Sequence, residues 1–156
     1  GVFNTSLSWK GFDLSAIFAY SIGGYIYNRD ITMILHNGSL EGRAWSTEIL
    51  KRWTPENRYT DVPALSTTSN NWNSASTRFL QNNSYMRLKN LTLSYDLPKQ
   101  WISKLALSSV QVFVQGDNLF TIHRNQGLDP EQGITGITYY RYPAMRTISG
   151  GINLSF

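Results

Sequence analysis

The chain has 156 residues, 41% hydrophobic, 15% charged and 13% aromatic, with a formal net charge of +4 and no cysteine. So few charges and so many aromatics argue against a soluble helix-rich protein, in which about a quarter of residues are charged. The missing cysteines exclude disulfide staples and thiolate metal sites, and the scattered Lys and Arg argue against a nucleic-acid-binding face.

Residues 2–9 alternate: Phe3, Thr5, Leu7 and Trp9 share one face, and Val2, Asn4, Ser6 and Ser8 the other. Lys10-Gly11 reads as a two-residue turn. From Phe12 to Ile22 the alternation resumes, with Phe12, Leu14, Ala16, Phe18, Tyr20 and Ile22 facing one way. Two alternating runs around such a turn predict a β-hairpin. A strand of this length, tilted, crosses a bilayer.

Gly23-Gly24 ends the pattern, and from Tyr25 to Asn83 periodicity is poor and turn residues are common. One short helix is expected over 44–52, stopped by Pro55. A connection this long is usually functional.

Strand pattern returns at Ser84. Leu91, Leu93, Tyr95 and Leu97 share a face, and simple alternation carries that face back through Lys89, Arg87 and Tyr85. Pro98 ends the strand, and one helical turn is expected over 98–105. Over 109–118, Val110, Val112 and Val114 alternate with Gln111, Phe113 and Gln115. A second long loop runs from His123 to Ala144, and a last strand from Arg146 to Phe156, with Ile148, Gly150, Ile152, Leu154 and Phe156 on one face.

Five strands with connections that alternate short and long describe an all-β fold: an antiparallel transmembrane β-barrel fragment with long extracellular loops. No run of about 18 apolar residues predicts a transmembrane helix. The mean hydropathy of −0.29 fits strands whose apolar positions alternate with polar ones. Five strands cannot close a barrel, because the smallest such barrels have eight. A start at Gly1, inside the pattern and without Met or a basic leader, implies that the chain begins within a longer protein. The terminal aromatic, with Leu154 and Ile152 at every second position before Phe156, matches the strand that signals barrel assembly. The bland alternative is an ordinary amphipathic strand.

Ordered motifs sharpen this reading. The segments Asn83–Pro98 and Val112–Thr121, together with Arg52-Trp53-Thr54-Pro55-Glu56-Asn57, Gly127–Glu131, Tyr142-Pro143 and Trp9–Asp13, resemble the SusC/RagA family of TonB-dependent outer-membrane transporters, over nearly the whole chain from Leu7 to Phe156. The resemblance implies that residues 1–156 form the C-terminal part of a 22-stranded barrel, with a plug and most of the barrel upstream. It implies uptake of oligosaccharides, or in some members peptides, with a SusD-like surface lipoprotein outside and TonB pulling from the periplasm. Barrel assembly machinery and outer-membrane lipids are the other expected partners, and nucleic acid is not one. No cofactor is expected.

Candidate residues carry competing readings. Arg87 and Lys89 fit either an anionic substrate or lipopolysaccharide, or, more simply, a strand's exit from the membrane, where basic side chains snorkel. Trp72, Tyr139, Tyr140 and Tyr142 fit either stacking on sugar rings or an interfacial belt. His36 and His123 are far apart in sequence and have no cysteines beside them, so no metal site is expected. Asp61, Asp129 and Glu131 do not have calcium-loop spacing, and Asp129-Pro130-Glu131 reads as a turn. No nucleophile elbow, carboxylate pair or phosphate loop is present, so no enzyme is expected. A passive porin or adhesin barrel is the alternative function. Two residual options are a small-barrel outer-membrane enzyme and a soluble β-sandwich.

Overall fold

The computed structural model describes residues 1–36, 40–66, 68, 74–103, 107–125, 129–131 and 135–156. The chain separates into two units. One comprises Gly1–Gly24, Asn83–Pro130 and Tyr142–Phe156, and the other Tyr25–Asn82 and Glu131–Arg141. No described helix is long and apolar enough to cross a membrane, which leaves strands as the elements that could.

The first unit is a five-stranded antiparallel sheet. Its strands are β1 (Val2–Trp9), β2 (Phe12–Ser21), β5 (Tyr85–Asp96), β6 (Ser109–His123) and β8 (Thr147–Ser155), ordered β1-β2-β5-β6-β8. The predicted hairpin is present. Lys10 and Gly11 take φ of 48° and 87°, the pair of positive values a type I′ turn requires, and Trp9 pairs with Phe12 to close it. Pro98 lacks the N–H to continue β5, and a single helical turn, α2 (Lys99–Ile102), follows where the sequence expects one.

Register puts apolar side chains together across all five strands. Phe3 pairs with Phe18, Leu7 with Leu14, Leu14 with Leu93, Leu93 with Val114, and Val112 with Ile152. The opposite face collects Ser, Thr, Asn, Gln and Asp. The apolar face is the exposed one: Leu7 is 67% exposed, Val114 48% and Ile148 76%. A soluble protein rarely leaves so continuous an apolar face in water. The ten residues of β2, at roughly 3.3 Å each and tilted about 40°, cover roughly 25 Å, the height of the apolar band of a barrel wall.

Two irregularities revise the sequence reading. The strand register skips Lys89: pairing passes from Leu88 to Asn90 against both β2 and β6. This bulge reverses the alternation. Leu88 and Met86 join the apolar face opposite Phe18 and Tyr20, and Arg87 and Tyr85 move to the polar face, contrary to the simple count. The second irregularity lengthens β6 beyond its expected end at Asn118 to His123. Asn118 adopts φ of 52°, which Asn tolerates better than most residues, and the strand continues along β5.

The second unit was expected to be mostly loop. It contains β3 (Tyr25–Asn28), β4 (Leu80–Asn82) and β7 (Ile137–Thr138), a three-stranded sheet in the order β4-β3-β7. β3 runs directly into α1 (Arg29–Ile34), whose first turn is capped by Asn28 Oδ1 accepting from Ile31 N at 3.0 Å. The helix expected over 44–52 is a 3-10 helix at Thr47–Lys51, capped by Ser46. Its end explains one motif. Asn57 donates to the carbonyls of Lys51 (3.0 Å) and Arg52 (3.3 Å), and its N–H donates to the Thr54 carbonyl at 3.0 Å. The Arg52–Asn57 run therefore closes a turn and satisfies the helix's last carbonyls.

Candidate functional site

The polar face of the sheet is knitted by side chains. Thr92 donates to Asn90 Oδ1 (2.9 Å), Asn90 to Asp117 (2.8 Å), and Gln115 to both oxygens of Asp117 (3.2 Å each). Towards the hairpin end, Gln111 donates to Asp96 (2.9 Å) and Asn153 to Gln111 (3.2 Å). Such a face suits water inside a barrel and not lipid.

The run Gln115-Gly116-Asp117-Asn118-Leu119 has a separate task for each residue. A Cβ at Gly116 would lie 2.7 Å from a Leu119 methyl, so the glycine makes room for Leu119 on the apolar face. Asp117 anchors the polar network, and Asn118 turns the backbone and donates to the Met145 carbonyl at 3.2 Å. A similar fit occurs on the polar face, where the Phe113 ring lies over Gly151.

Arg87 corrects an expectation. It does not snorkel from the membrane face. It is 3% exposed on the polar face, donates to Thr121 Oγ1 at 2.9 Å and forms an ion pair with Asp129. The other oxygen of Asp129 accepts from the Ala144 N–H at 2.6 Å. One carboxylate thus ties the strand to both flanks of the loop after β6. Lys89 sits half-buried at the bulge. Around the pair lies a cleft of about 460 Å³, also lined by Asn118, Phe120, His123 and Arg146.

The loop aromatics divide. Tyr139 and Tyr140 lie together in the second unit with ring centroids 4.4 Å apart, and the Arg29 guanidinium sits 4.6 Å above the Tyr139 ring. Asp30 accepts from the Tyr140 N–H at 3.0 Å and fixes the pair. Tyr140 is 69% exposed, so its face is open to a ligand. Tyr142 belongs to the first unit and is 92% exposed. Trp72 lies outside the described residues.

His36 is buried in the second unit, edge-on to Trp45 at 5.2 Å, whereas His123 lines the cleft of the first. Among the described residues no three His, Cys, Asp or Glu side chains converge as a metal site. Asp129, considered for calcium, is committed to Arg87 and Ala144. On β8, Ile152 and Leu154 project from the apolar face at 63% and 52% exposure, and Phe156 follows the strand at 93%. Sequence alternation alone locates these three. It gives no sign of the Asp117 network or the Asp129 bridge, both of which join residues distant in sequence.

Comparison with known proteins bears on the whole sheet. No protein-family model matches the chain. It is 36% identical over 99% of its length to TonB-dependent receptor P3 of Formosa agariphila, and 29% identical over 99% to TonB-dependent receptor P26 of the same organism. It is 26% identical over 97% to TonB-dependent receptor SusC of Bacteroides thetaiotaomicron. The chain spans only 16%, 16% and 14% of these relatives. Among solved structures, the RagAB peptide importer in its open-open state matches 100% of the chain and 17% of its own, at 34% identity and a TM-score of 0.87. Its closed-closed state matches at a TM-score of 0.85. The sheet with its outward apolar face, the polar network behind it and these relatives identify the chain as a barrel segment of a SusC/RagA-type TonB-dependent receptor, a family of outer-membrane β-barrel proteins.

Proposed function

We propose that the chain serves in active nutrient import: it forms part of the wall of a gated, 22-stranded barrel that takes up oligosaccharide or peptide and is driven by TonB. The observation that carries this reading is the match of the entire chain to the RagAB peptide importer. A SusD-like surface lipoprotein is the partner the reading requires outside, and TonB acts through parts of the receptor beyond this segment. The chain's place is the closing strands of the barrel, with Ile152, Leu154 and Phe156 presented to the assembly machinery. Tyr139 and Tyr140, held by Arg29 and Asp30, are the substrate-contact candidates that the geometry favours. Trp72 and Tyr142 are weaker ones. The work of such a protein is recognition and translocation, with no bond made or broken.

The test is uptake by whole cells carrying the complete receptor. Import should stop when TonB is deleted, and Tyr139→Ala with Tyr140→Ala should reduce it severalfold while surface levels hold. Uptake that persists without TonB would point to a passive porin instead.

A further inference from the structure

We propose that Arg29 holds the carboxylate of an acidic oligosaccharide, a proposal that deepens the reading of Tyr139 and Tyr140 as substrate contacts and rests on it. Arg29 opens α1 and is exposed, with its guanidinium 4.6 Å from the centre of the Tyr139 ring. Stacking of this kind fixes the plane of the guanidinium and leaves the N–H groups at its rim free to donate. Among the described residues nothing takes them: Arg29 makes no ion pair and no side-chain hydrogen bond. Asp30, next in sequence, makes no ion pair either among the described residues, and its carboxylate accepts from the Tyr140 N–H at 3.0 Å. Arg141, exposed and also without an ion pair among the described residues, adds positive charge to the same connection.

The aromatic half of the site is held just as firmly. Tyr140 takes φ of 47°, a left-handed value that a bulky residue keeps only where its surroundings hold it, and the bond to Asp30 is such a hold. Its ring lies 4.4 Å from that of Tyr139, and the residue is 69% exposed. An unused guanidinium fork and an open aromatic face thus share Tyr139 as their common neighbour. These two features select the ligand. A carboxylate takes two parallel N–H bonds from one guanidinium. The flat C–H face of a sugar ring covers a tyrosine and removes apolar area from water. A sugar acid carries both on one rigid ring, so it meets the two groups at once with little ordering cost. A peptide needs two residues to do the same, each with its own freedom to lose. A free anion satisfies Arg29 and leaves Tyr140 bare.

The complete receptor, purified in detergent, would be titrated in a calorimeter with oligomers of galacturonic acid and of glucuronic acid, and with the same oligomers after reduction of their carboxyl groups to neutral alcohols. At least one acidic oligomer should bind about tenfold more tightly than its reduced form, by a margin that narrows as salt is raised. Arg29→Gln keeps a polar stem against Tyr139 and should erase the difference, whereas Arg29→Lys should restore part of it. Equal binding of both forms by the wild type, or a difference that survives in Arg29→Gln, overturns the proposal, as does failure of every oligomer to bind. Tighter binding of a short acidic peptide than of any acidic oligomer also overturns it, and assigns Arg29 to a peptide carboxylate. Tyr140→Ala tests the footing separately and should weaken the acidic and the reduced forms alike. Unchanged binding of both in Tyr140→Ala removes the substrate-contact reading and the proposal together, whereas weaker binding without any preference for the acid removes the proposal alone.

Discussion

Asp129 illustrates how much one side chain can carry. It neutralises a nearly buried guanidinium on β5 and caps the backbone of Ala144, with 6% of its side chain exposed against 4% for Arg87. Removing one member of a buried pair strands the other's charge, at about 3–5 kcal/mol. Arg87→Ala and Asp129→Ala are each expected to lower the melting midpoint of the purified receptor. The pair replaced together, Arg87→Met with Asp129→Leu, should lose less than the sum of the two, as coupled sites do. Packing at Gly116 gives a second expectation. Gly116→Ala forces Leu119 aside and should cost about 1–3 kcal/mol. Adding Leu119→Ala relieves the clash, so the double variant should melt higher than the additive estimate. Neither feature was legible in the sequence. Asp129-Pro130 reads as a turn, and nothing local says that its carboxylate answers a residue 42 positions away.

At the scale of elements, alternation made β1, β2, β8 and the first part of β6 readable, because a strand with lipid on one side and polar groups on the other separates its residues cleanly. The count failed at Lys89 for a physical reason. A bulge inserts one residue without any compositional mark, and from there back to Tyr85 every side chain changes face. Spin labels at Met86 and Leu88 should therefore be accessible to oxygen and shielded from a nickel chelate, with the reverse at Arg87. The opposite result would restore the uninterrupted alternation. The small sheet was missed because strands of four, three and two residues are too short to show a period. The two faces also differ in tolerance. Leu14→Arg, in the middle of the apolar face, should destabilise the barrel by about 2–4 kcal/mol, whereas Ser15→Arg on the polar face should change little. Chemical denaturation of the refolded receptor distinguishes them.

For the molecule as a whole, the sheet makes sense only as a portion of something larger. Among the described residues its five strands leave β1 and β8 each paired on one side, and side chains of the apolar face such as Leu7, Val114 and Ile148 are exposed. A bilayer covers that face, and further strands cover the edges. The sequence conveyed this architecture because the membrane imposes a pattern on every strand. It conveyed the ligand poorly, because candidate contacts such as Tyr139 and Tyr140 sit in connections whose placement depends on Arg29 and Asp30, far away in the chain.

The measurement that bears most directly on the barrel-wall assignment is a cysteine scan of β8 in the complete receptor, in intact outer membranes, with a lipid-soluble and a membrane-impermeant maleimide. Cysteines at Ile148, Ile152 and Leu154 should react only with the lipid-soluble reagent, and those at Thr147, Ser149 and Asn153 with the impermeant one once the lumen is open to it. Reaction of both sets with the impermeant reagent alike would contradict a strand that faces lipid on one side.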